Sequence, residues 1–169
     1  KDLQVYKAPF KNDSIIIDSI KAIPFYYPEQ EGFMPKNINN NFDAEAMIFL
    51  DGKIHIFTKE WITNTVSHYI INPNLSENQP AQKLESFDTG FVLTDASFYD
   101  NKLYVVGYTK KARVFLMIFE KDENGNLFFN KPLKKYALGS AINIGQIEGI
   151  TATEKGIYIS GERFSIKIK

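Results

Sequence analysis

The stretch DAEAMIFLDGKIHIFTK, residues 43 to 59, decides how the whole chain is read. Two short runs rich in β-branched and aromatic residues flank Asp51-Gly52, a dipeptide that accepts the positive φ angles of a two-residue turn. The unit therefore predicts an antiparallel hairpin. Working outward, the same pattern recurs as LTDASFYDNKLYVVGYT at 93 to 109 and as QIEGITATEKGIYISGE at 146 to 162. Each copy carries an acid followed by a small residue: Glu45-Ala46, Asp95-Ala96 and Glu148-Gly149. The acids recur at intervals of 50 and 53 residues.

A third β-rich run follows each hairpin, at 66 to 71, 114 to 121 and 164 to 169, and a fourth follows the first two, at 82 to 88 and 132 to 138. Turn formers separate third from fourth: Asn72-Pro73-Asn74 in one copy and Asp122-Glu-Asn-Gly-Asn126 in the next. Four strands at a period near ~50 residues is the blade pattern of a β-propeller. The expected fold is therefore all-β, with about three blades of four antiparallel strands. Residues 3 to 8 and 15 to 27 read as the last two strands of an earlier blade, and 28 to 41 as a long loop. The expected division is the end of one blade plus that loop over 1 to 41, blades over 42 to 88 and 89 to 138, and an incomplete blade over 139 to 169. Closed propellers have ~4 to 8 blades. The missing blades are expected from the same, longer chain or from a second copy that closes the ring.

Composition bounds the chemistry. At 169 residues, with 44% hydrophobic content, 14 Phe and 9 Tyr, the chain can bury a core without disulfides. Twenty basic against twenty acidic residues give no net field to attract nucleic acid or an anionic membrane surface. No apolar run reaches the ~20 residues of a membrane helix. With no cysteine, thiolate catalysis, zinc-thiolate sites and iron-sulfur clusters are excluded, and only His55 and His68 could supply imidazole. Both sit in mid-strand without a matched acid and serine, and read as ordinary strand residues. No phosphate loop, nucleophile elbow, dinucleotide fingerprint or EF-hand loop is present.

The boxes NFDAEAM (41 to 47), IFTK (56 to 59), LTDA (93 to 96), VGY (106 to 108) and GQIEGI (145 to 150) resemble a group of secreted or lipid-anchored bacterial six-bladed propellers. That group is related in fold to phytase-like and gluconolactonase-like propellers. The resemblance spans about residues 15 to 163 and implies a secreted, periplasmic or cell-surface location. In gluconolactonase-like propellers, acids at the starts of inner strands bind a divalent metal, and phytase-like ones bind calcium. Glu45, Asp95 and Glu148 occupy similar positions, although neither family's full metal signature is visible and the His/Asp chemistry of an active lactonase is not evident.

If the first strand of each blade lines a central channel, side chains alternate about it with a period of two. Glu45, Asp95 and Glu148 are then expected to share one orientation, with Asp43 two residues before Glu45. Gathered carboxylates would take up a hard cation such as Ca2+, or carry raised pKa values. The plainer reading is that such acids accept amide hydrogen bonds or pair with lysine, stitching blade to blade. Lys59 and Trp61, Lys110, and Arg163 are expected near the acids on the second-to-third strand loops, where Trp61 could stack on a sugar or peptide. Trp61 could equally cap a gap between blades. The expected function is an exported binding module for a small molecule, glycan or peptide. The alternatives are a calcium-dependent phytase-like or lactonase-like hydrolase, and a structural module of a larger surface protein.

Overall fold

A computed structural model describes residues 3 to 32, 39 to 123 and 127 to 163. The described chain is all-β. Its central sheet contains β5 (Asp43–Leu50), β6 (Lys53–Lys59), β7 (Thr65–Ile71) and β9 (Gln82–Asp88), hydrogen-bonded in that order and all antiparallel. The next sheet repeats the plan with β10 (Val92–Tyr99), β11 (Lys102–Tyr108), β12 (Arg113–Glu120) and β13 (Pro132–Ser140). Strands β14 (Gln146–Thr153) and β15 (Gly156–Glu162) then form a hairpin. Ahead of these, β1 (Leu3–Lys7) pairs antiparallel with β4 (Lys21–Tyr26).

Local chemistry explains the turns. Asp51 and Gly52 have φ of 47° and 73°, and Asp100 and Asn101 have φ of 49° and 59°. Positive φ at both central residues is the two-residue turn whose twist matches antiparallel strands. Asp, Asn and Gly are the residues that tolerate it.

The run expected as one strand over 15 to 27 is broken. A two-residue hairpin, β2 (Phe10–Lys11) with β3 (Ser14–Ile15), is followed by a 3-10 turn at Ile17–Ser19 before β4 begins. Asn12 and Asp13, with φ of 52° and 59°, make the turn of that small hairpin, and the 3-10 turn after it is what interrupts the expected strand. A second departure is β8 (Gln79–Pro80), which leaves the second sheet to pair in parallel with β4. Among the described residues the one α-helical segment is a single turn, α1 (Ala141–Ile144), capped by the Ser140 hydroxyl accepting from the Ile142 amide. The third strand expected over 164 to 169 lies outside the described residues, as do parts of the loops expected at 28 to 41 and 122 to 126.

Packing follows from the period-two alternation. In β6, Ile54 and Ile56 turn one way, to meet Ile23 and Phe25 of the first sheet, whereas Phe57 turns the other way, to meet Leu103 and Val105. In β11, Leu103 and Val105 face back while Val106 packs with Ile147 and Ile150 of the terminal hairpin. Each of the two four-stranded sheets is thus a slab with an apolar layer on both faces. The innermost strands lie side by side, with β10 between β5 and β14. Phe128 and Phe129, in the connection between β12 and β13, are 0% and 5% exposed and plug the layer between the two complete sheets. Burying one such ring is worth about 1.5 to 3 kcal/mol.

Candidate functional site

The register of the three hairpins reveals a shared irregularity. Pairing skips one residue between Ala44 and Ala46, between Leu93 and Asp95, and between Ile147 and Gly149. The bulged residues are therefore Glu45, Thr94 and Glu148. β-Bulges re-aim side chains and are enriched near functional sites. Asp95 stands one position beyond its bulge, level with Ala46 and Gly149, so Glu45 and Glu148 share the bulge position and Asp95 does not.

Asp95 instead joins two sheets. Its Oδ2 accepts the Ile150 amide at 2.7 Å, and the neighbouring Ser97 hydroxyl oxygen accepts the Ala152 amide at 3.0 Å. Burial raises the Asp95 pKa, against the lowering effect of the Ile150 and Ala96 amides. The bulge position itself holds Thr94, only 2% exposed, whose hydroxyl faces the Val106 carbonyl at 3.5 Å.

Around Glu45 a different group assembles. Its Oε2 lies 3.5 Å from the ammonium of Lys59, which is itself 7% exposed. The same ammonium stands 5.3 Å from the Trp61 ring centroid and 5.7 Å from that of Tyr108, within cation-π range of both. Trp61 and Tyr108 meet edge to face at 6.1 Å. Lys59 and Trp61 come from the second sheet and Tyr108 from the third, so the cluster straddles the seam between them. Burial raises the Glu45 pKa, Lys59 works against the rise, and Asp43 and Glu148 add to it. Asp43 pairs in register with Lys59 at the mouth of the hairpin. Glu148 is exposed and accepts a hydrogen bond from the Gln146 side chain.

Lys110 and Arg163 are exposed, one on the turn after β11 and the other just past β15. Among the described residues, no ion pair or ring contact joins either to the Lys59 group. Nor, among them, do three His, Asp or Glu side chains gather closely enough to hold a metal ion.

What holds Lys59 and Trp61 in place is a residue the sequence flags only weakly. Glu60 is 6% exposed, and its Oε1 accepts from Thr58 at 2.8 Å and from Ser67 at 2.7 Å. Its Oε2 accepts from Thr63 at 2.7 Å and from Thr65. Burial would raise the Glu60 pKa, but the four hydroxyl hydrogen bonds outweigh it and leave the carboxyl below its ordinary value. The Trp61 amide donates to the Asn40 carbonyl and the Ile62 amide to the Asn41 side chain, each at 3.0 Å. The signal in the sequence was a ring of hydroxyl residues, Thr58, Thr63, Thr65 and Ser67, around one acid.

The histidines also have an acid partner that the sequence did not suggest. His55 and His68 are both 0% exposed and stacked, and His68 Nδ1 lies 2.8 Å from Glu85 Oε1. Glu85 comes from β9, an outer strand, and its two oxygens also accept the amides of Phe128 and Phe129. This set is sealed in the layer between sheets and locks the Phe128 loop onto the second sheet. No protein-family model matches the chain, and a comparison with curated proteins returns no significant match.

Proposed function

We propose that the chain is part of a β-propeller that acts as a binding scaffold, with its ligand site around Lys59, Trp61, Tyr108, Glu45 and Glu148. Support for the propeller comes from sheets that repeat one strand order, carry a bulge at one place, and set their first strands side by side. Support for the site comes from one observation above the rest. A nearly buried ammonium is held between two aromatic rings and a carboxylate drawn from two sheets. Desolvating a lysine is costly even when it is paired, which favours a role for this placement beyond stability.

The mechanism is rigid presentation. Glu60 and its hydroxyls fix the β6–β7 connection, so Lys59 and Trp61 meet a ligand without prior ordering, which lowers the entropy cost of binding. A ligand that fits combines a flat or sugar-like face for Trp61 with an anionic or hydroxyl group for Lys59, as in a glycan or a peptide. The resemblance to exported propellers suits a ligand met outside the cell. The calcium-dependent hydrolase is the weaker reading, because the cation already at the seam is Lys59 and Asp95 is engaged with the Ile150 amide. Bringing Ca2+ beside an ammonium adds like-charge repulsion.

Trp61 is the only tryptophan, so its fluorescence reports on this site alone. Titration with a panel of oligosaccharides and acidic peptides is expected to shift its emission, with the response lost in Lys59→Met. If no member of the panel changes the emission or the backbone amide resonances of residues 59 to 61 and 108, the binding reading is wrong.

A further inference from the structure

The charge that the Lys59 site shows to solvent is the carboxylate rather than the ammonium. The side chains of Lys59 and Glu45 are 9% and 29% exposed, and Glu148 is exposed as well. Two titratable groups register the surrounding field. Burial raises the Glu45 pKa, Lys59 opposes the rise, and Asp43 and Glu148 add to it. Burial also raises the Tyr108 pKa, again with Lys59 opposing, and here Glu148 and Glu45 add to it. One ammonium thus stands among the carboxylates of Asp43, Glu45 and Glu148, beside the rings of Trp61 and Tyr108.

A ligand charge of either sign meets its like in such a place. A carboxylate or phosphate brought to Lys59 comes up against Glu45 and Glu148, and an amine brought to Glu45 comes up against Lys59. A hydroxyl avoids both costs, because a single oxygen accepts from the ammonium and donates to the carboxylate. The Glu45–Lys59 pair, 3.5 Å apart with Trp61 beside it, therefore matches a ring whose edge carries hydroxyls and whose face is C–H. A peptide matches less well. Its side chains bring charge or apolar bulk to the pair, and an amide keeps donor and acceptor on separate atoms.

We propose that the site selects an uncharged glycan, with the Glu45–Lys59 pair reading sugar hydroxyls and Glu45 turning acidic ligands away. This selection names the ligand class of the binding site described above and depends on that reading. Glu45 is then a specificity-determining residue: it holds the anion position beside Lys59 that an acidic ligand would need.

Trp61 emission at neutral pH and low salt tests this on the 169-residue chain. Neutral tetrasaccharides of glucose, mannose and galactose are titrated beside the acidic oligomers built on the same rings, tetraglucuronate, tetramannuronate and tetragalacturonate, and beside an uncharged peptide of Ser and Gln. At least one neutral sugar is expected to shift the emission and to bind about tenfold tighter than its acidic counterpart. Glu45→Gln keeps an oxygen but removes the charge, and is expected to raise the acidic-to-neutral affinity ratio about tenfold. Glu148→Gln, a change at an exposed position, is expected to move the ratio the same way. An acidic oligomer that binds as tightly as its neutral counterpart, a ratio that neither variant moves, or a response to the peptide alone overturns the selection and leaves the binding reading in place. Unchanged emission with every member of the set overturns both.

Discussion

The Nδ1 of His55 lies 2.8 Å from the Nε2 of His68, inside a layer that excludes water from both rings. Glu85 fixes the direction of this contact. Its carboxylate accepts two amides and the Nδ1 proton of His68; with that single proton on the His68 ring, Nε2 is the acceptor and His55 donates from Nδ1. His55 Nε2 is left as a buried lone pair without a partner.

Protonating that nitrogen would place a charge in the apolar layer. Burial, with His68 adding to it, accordingly lowers the His55 pKa from 6.5 to about 4. The sign follows from proton counting. Between about 4 and 6.5 the unfolded chain binds a proton at this residue that the folded chain does not, so the His55 contribution to stability falls as pH drops through that window. The slope is at most about 1.4 kcal/mol per pH unit. NMR titration is expected to find His55 neutral at pH 5.5, with the folded chain easier to denature in urea there than at pH 7. A His55 resonance titrating near 6.5 would contradict the sealed-layer account.

Glu60 has the same sign for a different reason, since its charged form is the one held. Its carboxyl is lowered, so the hydroxyl ring contributes stability above the ordinary carboxylate value of 4.5 and loses it as pH falls below that. Glu60→Ala removes the charged acceptor shared by four hydroxyls and is expected to cost about 3 kcal/mol, the upper end for hydrogen bonds to a charged group. The same change should broaden and red-shift Trp61 emission, because the connection that holds the ring loses its anchor. Unaltered emission in a destabilised variant would separate Glu60 from the Lys59 site.

Gly107 tests the bulge geometry. A Cβ built there would lie 2.0 Å from the Val92 carbonyl oxygen, across the hairpin from the bulge. Its φ is ordinary, so the clash alone decides, and Gly107→Ala is expected to cost about 1 to 3 kcal/mol as overpacking. Gly52→Ala is the contrast: open space surrounds it, but its φ of 73° costs an L residue about 1 kcal/mol. A Gly107→Ala variant that loses less than about 1 kcal/mol would refute the close approach at Gly107.

The hairpins, their turns and the outer strands could be read from residue alternation and from Asp51-Gly52 and Asp100-Asn101, because these are local choices that packing did not override. The bulges could not. An extra residue in one strand leaves the hydrophobic pattern nearly intact, so aligning acid with acid was the natural choice, and it matched Asp95 to Glu45 although the bulge position equivalent to Glu45 holds Thr94. Lys59 and Trp61 were visible as a pair, whereas Tyr108 reaches them from another sheet. The Glu85 partner of the histidines was hidden for the same reason: strand β9 meets β7 only after an intervening loop, and no spacing rule connects them.

Asp95 separates stitching from metal binding most cleanly. If its task is to accept the Ile150 amide, Asp95→Asn keeps an oxygen there and is expected to be nearly neutral in stability. Asp95→Ala leaves a part-buried N–H unpaired, at about 1 to 3 kcal/mol, and should loosen β14–β15 first. Hydrogen exchange at 147 to 152 would then rise ahead of exchange in the central sheets. A calcium ligand would behave differently: asparagine lacks the charge, so Asp95→Asn would abolish any stabilisation by added Ca2+ while the apo protein stayed unchanged. Thermal unfolding of wild type and Asp95→Asn, with and without Ca2+, therefore decides between them, and a Ca2+-dependent rise in Tm that vanishes in Asp95→Asn would remove Asp95 from the stitching role.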